Sequence, residues 1–389
     1  MDFLLTTEEI ILKGKNRKFF ERILVENIRK KLGSDLVFIK NLGGRYWVKI
    51  ASNHMEFGVK LTKIFGIKSF YPVKVFDSLE ELLNNLFVSV NSAPSASASD
   101  ISVDGKTFKI EVQRGDKDYP LTSIEIAKKV NEFIKNKFNL QVDFKNPELT
   151  IYIYYKDKKF FLAYERVECF GGLPVGSSGK GLVLLSAGFD SPVASFLAMK
   201  RGLKVYFLHF HSYPQTSKES LEKVKKLVAI LNEYNLGSKL YLMNILELQK
   251  FYYNNIPHKF LVIFYRRSMF RLAEKLVQEL NLDCLITGES LVQVASQTIE
   301  NLKVISYGVN NFVFRPLLGF NKSEIIDLAR KIGTHSISLL KGDDCCSLFV
   351  PKKVETRAKL KEILEIEAKF KKEIEELEEK IFSGKELLK

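Results

Sequence analysis

Asp190 stands in a setting that suggests chemistry. It lies in LVLLSAGFDSPVASFLAM, residues 182–199, where an apolar run meets Ser-Ala-Gly and then Ser-Pro before a second apolar segment. The first run reads as a buried strand and the last as a helix starting at Ser191, with Pro192 in the first turn. Ligands of open α/β sheets bind beyond the carboxyl ends of the strands. Small residues there let backbone N–H groups approach an anion, and the positive end of the helix faces the same place. The loop Ser186–Ser191 is therefore a candidate phosphate cradle. A carboxylate within it would repel phosphate unless Mg²⁺ bridged the two. The alternative is an Asp that only caps the helix.

The second source of chemistry is sulfur. The chain has four cysteines, Cys169, Cys284, Cys345 and Cys346. They are too few for a disulfide scaffold, no CxxC occurs, and five histidines give little support for a zinc site. Cys345 and Cys346 are adjacent, and a bridge between neighbours is strained. One of them could carry a persulfide as a thiolate. An iron–sulfur cluster is the less favoured role, because its other ligands would have to come from elsewhere. Cys284 ends an apolar run and reads as core, and Cys169 as structural.

A near-match to a nucleotide loop is rejected. GSSGKG, residues 176–181, resembles the end of G-x-x-x-x-G-K-[ST]. However, Pro174 occupies the first Gly position, Gly181 follows Lys180, and the motif precedes the strand instead of following it.

Three units should position these residues. Residues 1–75 read as a helix over GKNRKFFERILVENIRKKLG, a hairpin over LVFIKNLGGRYWVKI and a helix near 55–65, an α+β unit. After the small-residue stretch 90–100, which reads as a mobile loop, residues 76–168 give a strand, a helix over SIEIAKKVNEFIKNKF and two aromatic strands. Residues 169–180 form a linker. From 181 onward strands alternate with helices, the pattern of a parallel sheet covered on both faces. The charged segment LKEILEIEAKFKKEIEELEEKI, 360–381, reads as one amphipathic helix.

The 389 residues carry a net charge of +14. The last stretch, 361–389, holds seven Lys against nine Glu, so the positive surplus lies on the rest of the chain. A diffuse basic surface on folded units suits a large polyanion. No apolar run approaches 18 residues and the N-terminus lacks a signal-peptide pattern, so no membrane span and a cytoplasmic location are expected.

SAGFDS resembles the S-G-G-x-D-S loop of the PP-loop ATP-pyrophosphatases, with Ala187 in place of the middle Gly. EIILKGKNRKFFERILVENI, VQRGDKDYPLTS, LHFHSYPQTS, TGESLVQVASQT, RPLLGFNKSEIIDLARKIGT and DDCCSLFVPKK then follow in order. Together they resemble the tRNA 4-thiouridine synthetases, the ThiI family, over almost the whole chain. Departures are TTEE in place of Arg-Tyr-Gly-Glu before the first helix, and an end where some relatives continue into a rhodanese domain.

The resemblance implies an N-terminal ferredoxin-like domain, an RNA-gripping THUMP domain and a C-terminal α/β PP-loop domain. It implies ATP-dependent thiolation of uridine 8 in tRNA. Catalytic roles would fall to Asp190, Lys322, Cys346 and Cys345. ATP or pyrophosphate contacts would come from Leu185, Ser186, Ala187, Gly188, Phe189, Ser191, His209, Phe210, Arg267, Gly288 and Gln297. Glu289, Ser290, Gln293 and Ser296 share the TGESLVQVASQT segment, and Arg266 stands beside Arg267. Lys13, Lys15, Arg17, Lys18, Lys109, Arg114 and Lys117 are candidates for tRNA phosphates. Mg²⁺, a cysteine desulfurase as sulfur donor and a homodimer complete the expectation. The alternatives are a PP-loop enzyme using another nucleophile, such as ammonia, and a non-catalytic THUMP RNA-binding protein.

Overall fold

The structure is a computed structural model and describes residues 1–51, 56–87, 105–342, 345, 348–349 and 353–388. The stretch 90–100 and Cys346 lie outside these residues. The chain divides into two compact units, Met1–Pro174 and Val175–Lys389.

The first unit is built on a nine-stranded sheet. Its elements are β1 (Asp2–Thr6), α1 (Arg17–Leu32), β2 (Leu36–Asn41), β3 (Arg45–Ile50), α2 (Glu56–Thr62), β4 (Ser69–Phe76), α3 (Leu79–Asn84), β5 (Thr107–Arg114), α4 (Ser123–Lys137), β6 (Gln141–Val142), β7 (Leu149–Lys156), β8 (Lys159–Ala163) and β9 (Val167–Glu168). The strand order is β2-β3-β1-β4-β8-β7-β5-β6, with β9 paired to β4. α1 buries Leu24, Ile28 and Leu32, and α4 buries Ile126, Val130 and Ile134, each at four-residue spacing. α4 starts at a capping box, where Thr122 accepts from the Glu125 N–H and Glu125 accepts from the Thr122 N–H. β4 belongs to two cores, with Phe70 in the α1 cluster and Phe76 in the α4 cluster. Alternation sends Leu4, Tyr71, Tyr154 and Phe161 to the opposite face, where the Arg45 guanidinium lies 4.3 Å from the Tyr154 ring centre.

The second unit is an α/β domain. Its elements are β10 (Lys180–Leu184), α5 (Asp190–Lys200), β11 (Lys204–His211), α6 (Lys218–Asn235), β12 (Leu240–Asn244), α7 (Leu246–Asn255), α8 (Leu261–Glu279), β13 (Cys284–Ile286), α9 (Ile299–Ser306), β14 (Phe312–Phe314), α10 (Lys322–Ile332), α11 (His335–Ser338), α12 (Leu360–Lys369), α13 (Lys371–Ser383) and β15 (Glu386–Leu388). The order is β14-β13-β10-β11-β12-β15, parallel except for β15. The chain fills one side of β10 and then the other, so the topological switch lies between β10 and β13.

Three readings of this unit differ from the structure. α5 begins at Asp190, one residue early, and Pro192 remains in the first turn, where no N–H is needed. Between β12 and β13, where the alternation gives one helix, there are two, and the first, α7, starts at an Asx turn from Asn244 to the Leu246 N–H, 3.0 Å. The C-terminal helix is two, broken at Phe370 (φ −121°), whose ring packs edge-on against Phe251 at 5.8 Å. The break lets Glu367 and Glu378 both reach Arg271, with hydrogen bonds of 2.6–3.1 Å. Among the described residues no helix is long and apolar enough to cross a membrane.

Candidate active site

The loop after β10 is held by its own serines. The Ser186 N–H donates to Ser191 Oγ at 2.8 Å, and Ser191 Oγ donates back to the Ser186 carbonyl at 3.2 Å. The Gly188 N–H reaches Ser186 Oγ at 3.3 Å, and Ser338 Oγ donates to the Gly188 carbonyl at 3.1 Å. Leu185 continues the β10–β11 pairing through its N–H to the Leu208 carbonyl, 2.8 Å. Phe189 occupies the N-cap position of α5 and gives no side-chain cap. The first-turn N–H groups of α5 therefore point out of the helix end without a capping acceptor.

The Asp190 carboxylate is not used for capping. Its Oδ1 accepts from Lys322 Nζ at 2.6 Å and its Oδ2 from Gln293 Nε2 at 3.0 Å. Lys322 is the first residue of α10, behind an Asn321–Glu324 capping box, and its Nζ lies 5.5 Å from the Phe189 ring centre. A lysine at a helix N-terminus opposes the dipole, and Asp190 offsets that cost.

The loop after β13 forms the facing wall. Gly288 lies so close to α5 that a Cβ there would stand 2.6 Å from the Ser191 nitrogen. Glu289 is 2% exposed and carries Arg266 and Arg315 on its two oxygens, with Thr287 Oγ1 donating at 2.9 Å. Burial opposes its ionisation, but the charges of Arg266 and Arg315 outweigh it and hold the carboxyl below its ordinary range.

These walls line an open cleft of about 290 Å³, at the lower end of the range for small-molecule sites. Leu185, Ser186, Asp190, Ser191, His209, Phe210, Gly288, Gln297 and Cys345 all line it. His209 donates its Nδ1 proton to the Leu185 carbonyl at 2.8 Å, because a carbonyl can only accept. Ala187, Gly188 and Phe189 belong to the same loop, and the Phe189 ring rests 5.5 Å from that of His335. Among the described residues, the Oε1 atoms of Gln293 and Gln297 are buried without a hydrogen-bond partner.

One expected nucleotide contact is corrected. Arg267 is turned away from the cleft and grips Glu367 at 3.0 and 2.8 Å, while its neighbour Arg266 lines the cleft. Successive helix residues point roughly 100° apart, so only one of the pair can face the sheet's edge.

The sulfur candidates separate. Cys345 lines the cleft at 6% exposure, and Cys346 lies outside the described residues. Burial and Glu168 push the Cys169 thiol up to about 12, and burial and Asp283 push Cys284 up to about 11. Both stay protonated near neutrality and suit no nucleophilic role. The sequence did not point to Gln249, fully buried on α7, which accepts from Ser212 Oγ and donates from Nε2 to the Cys345 carbonyl at 2.7 Å. Arg315 was also missed, although its place just after β14, at the carboxyl edge of the sheet, was a usable signal.

Asp190 is the cleft's carboxylate at the loop end, and among the described residues no cluster of three or more His, Cys, Asp or Glu converges to hold a metal. This donor set fits Mg²⁺ held by one carboxylate and substrate phosphates, and does not fit an all-protein cage. The uncapped helix end, the small-residue loop and the unpartnered Gln297 Oε1 fit ATP.

In the first unit the basic candidates differ in availability. Lys15, Lys18 and Lys117 are exposed. Lys13 pairs with Glu9 at 3.3 Å, Arg17 with Glu21 at 2.7 Å and Lys109 with Glu111 at 2.7 Å. Arg114 is engaged by its own loop, donating to the carbonyls of Tyr119 and Leu121 at 3.0 and 2.7 Å.

Comparison with known proteins follows the same division. Residues 2–71 match the ThiI ferredoxin-like domain, 74–165 the THUMP domain, and 176–372 the family described as thiamine biosynthesis protein (ThiI). The chain is 42% identical over 380 residues to a probable tRNA sulfurtransferase of Caldanaerobacter subterraneus, covering 96% of this chain and 97% of the relative. It is 41% identical over 392 residues to a probable tRNA sulfurtransferase of Halothermothrix orenii, covering 98% and 96%. Among solved structures it resembles a 4-thiouridine synthetase–RNA complex with bound ATP, with TM-score 0.87 and 35% identity over 100% of this chain and 98% of that one. A Pyrococcus horikoshii protein matches with TM-score 0.68 and 26% identity, over 85% and 99%.

Proposed function

The chain belongs to the ThiI family of tRNA sulfurtransferases, and on that basis we propose that it converts uridine 8 of tRNA to 4-thiouridine through an adenylated intermediate. Uracil O4 attacks the α-phosphorus of ATP, the bond to the β-phosphate breaks, pyrophosphate leaves, and the N3 proton goes to solvent. A persulfide sulfur on Cys346, or sulfide, then adds at C4 and AMP leaves. A second thiol cleaves the remaining S–S bond when the donor is a persulfide.

The observation that carries the reading is the meeting of the uncapped α5 end with the Asp190–Lys322 pair at the β10–β13 switch. The uncapped first-turn N–H groups of α5 hold the departing pyrophosphate, and Lys322 stabilises charge on the transferring phosphoryl group. Asp190 would hold Mg²⁺, which would supply charge neutralisation of the polyphosphate. Glu289 orients Arg266 toward the nucleotide. Cys345 in the cleft wall supports sulfur delivery at this site instead of ammonia. A cysteine desulfurase is the proposed donor, and a homodimer the proposed assembly.

The test is mass analysis of tRNA nucleosides after incubation with ATP, Mg²⁺ and a persulfide donor. The wild type yields 4-thiouridine and releases pyrophosphate only when tRNA is present. Cys346→Ser keeps the pyrophosphate release and loses the sulfur product. Full thiolation by Cys346→Ser would remove that cysteine from the relay.

RNA binding by the first unit rests on phosphate contacts from its basic residues. About five such contacts give a slope near −4 in log K against log salt. Filter binding of tRNA between low and physiological salt reads this slope, and a flat response refutes the polyanion reading.

A further inference from the structure

The amide of Gln293 has two ends in different circumstances. Its Nε2 donates to Asp190 Oδ2 at 3.0 Å, while its Oε1 is buried and accepts from no group among the described residues. An ionised carboxylate can only accept, so Asp190 dictates which end of the amide faces it. Turning the amide over would set two acceptors against each other. Oε1 is thereby fixed as an acceptor beside the loop Ser186–Ser191, and its missing donor is a standing cost. The neighbour of Gln293, Val292, a β-branched residue that is 68% exposed, holds φ at 61°, a conformation such residues rarely adopt.

The donor does not come from the triphosphate, which presents only acceptors. On the adenylation reading, O4 of the target base meets the α-phosphorus beside the Asp190–Lys322 pair. Uracil carries one N–H next to its C4 carbonyl, at N3. Cytosine carries a lone pair at N3. We propose that Gln293 is a specificity-determining residue that accepts the N3–H of the target uracil, sets O4 toward the α-phosphate, and rejects cytosine because Asp190 forbids the amide to turn over. Rejection by a fixed like-polarity contact is a repulsive element built into the site. Gln297 also has an unpartnered Oε1, but no described group fixes the sense of its amide, so it selects neither base.

This inference rests on the adenylation reading above, and the experiment separates the two. Full-length protein is saturated with a non-hydrolysable ATP analogue. Its Kd is measured for tRNA transcripts bearing uridine or cytidine at position 8. Comparing each variant's ratio with that of the wild type cancels any effect of the change on the RNA itself. The wild type prefers uridine by about tenfold or more. Gln293→Met lowers the ratio toward one when each protein is held at a concentration of ATP analogue that saturates it. Asp190→Asn, which frees the amide to turn, also lowers the ratio, so the proposal remains testable if Gln293→Met fails to fold. Retention of the wild-type ratio in a folded variant overturns the assignment of Gln293. Loss of uridine-dependent pyrophosphate release in the wild type overturns the adenylation reading, and this inference with it.

Discussion

Lys322→Met lowers the rate of tRNA-dependent pyrophosphate release by about three orders of magnitude and leaves thermal stability almost unchanged. The rate effect follows from the charge that develops as the phosphoryl group transfers. A preorganised cation there contributes more than any other single term, and removing one donor from such a site costs about 10²–10³ in rate. Lys322 is preorganised because its backbone is fixed by the Asn321–Glu324 capping box and its Nζ is held 2.6 Å from Asp190. The small stability effect follows from exposure. The lysine side chain is 43% exposed and the aspartate 23%, so solvent screens their attraction and the pair contributes about 0–1 kcal/mol. Lys322→Arg should restore little, since a planar fork does not replace a compact ammonium. Single-turnover release of labelled pyrophosphate, read beside a thermal melt, separates these effects. A variant that keeps its rate would leave Lys322 as a surface residue whose partner happens to be Asp190.

How far the sequence discloses such a site depends on whether a role leaves a local signature. The β10–loop–α5 unit does, because an apolar strand, small residues and Ser-Pro each constrain the backbone independently. α1 and α4 do as well, through four-residue spacing of Leu24, Ile28 and Leu32 and of Ile126, Val130 and Ile134. Arg266 and Arg267 do not. They are adjacent and alike in type, and only the placement of α12 decides that Arg267 meets Glu367 while Arg266 turns to the cleft. The break at Phe370 was hidden because the apolar stripe keeps its phase across it, and the fold bends there to set Phe370 against Phe251. Gln249 is a polar residue whose partners, Ser212 and Cys345, are 37 and 96 residues away, so nothing local announces it. Arg114 shows the reverse case: a basic residue in a basic unit that the loop 119–121 has claimed. Charge and composition identified the kind of partner, and contacts between distant segments assigned the individual side chains.

Gly288→Ala should damage the enzyme more than any other single methyl group added to the cleft. The new Cβ would stand 2.6 Å from the Ser191 nitrogen and 2.8 Å from both the Asp190 carbonyl carbon and the Ser191 Cα. All three are backbone atoms, so no flexible side-chain tip can swing aside. The β13 loop and the first turn of α5 must therefore separate by about an ångström, and overpacking of this kind costs about 1–3 kcal/mol. The same shift moves the anion-binding N–H groups and the Asp190 carboxylate relative to Gln293 and Arg266. A misplacement of that size costs about 10² in rate even when every catalytic group is retained. Gly319→Ala is the matched control, because a Cβ there meets nothing within 4 Å. It should keep its melting temperature and its activity. If Gly288→Ala melts and turns over like Gly319→Ala, the two walls are not in contact at the switch point, and the cleft cannot be assembled as described.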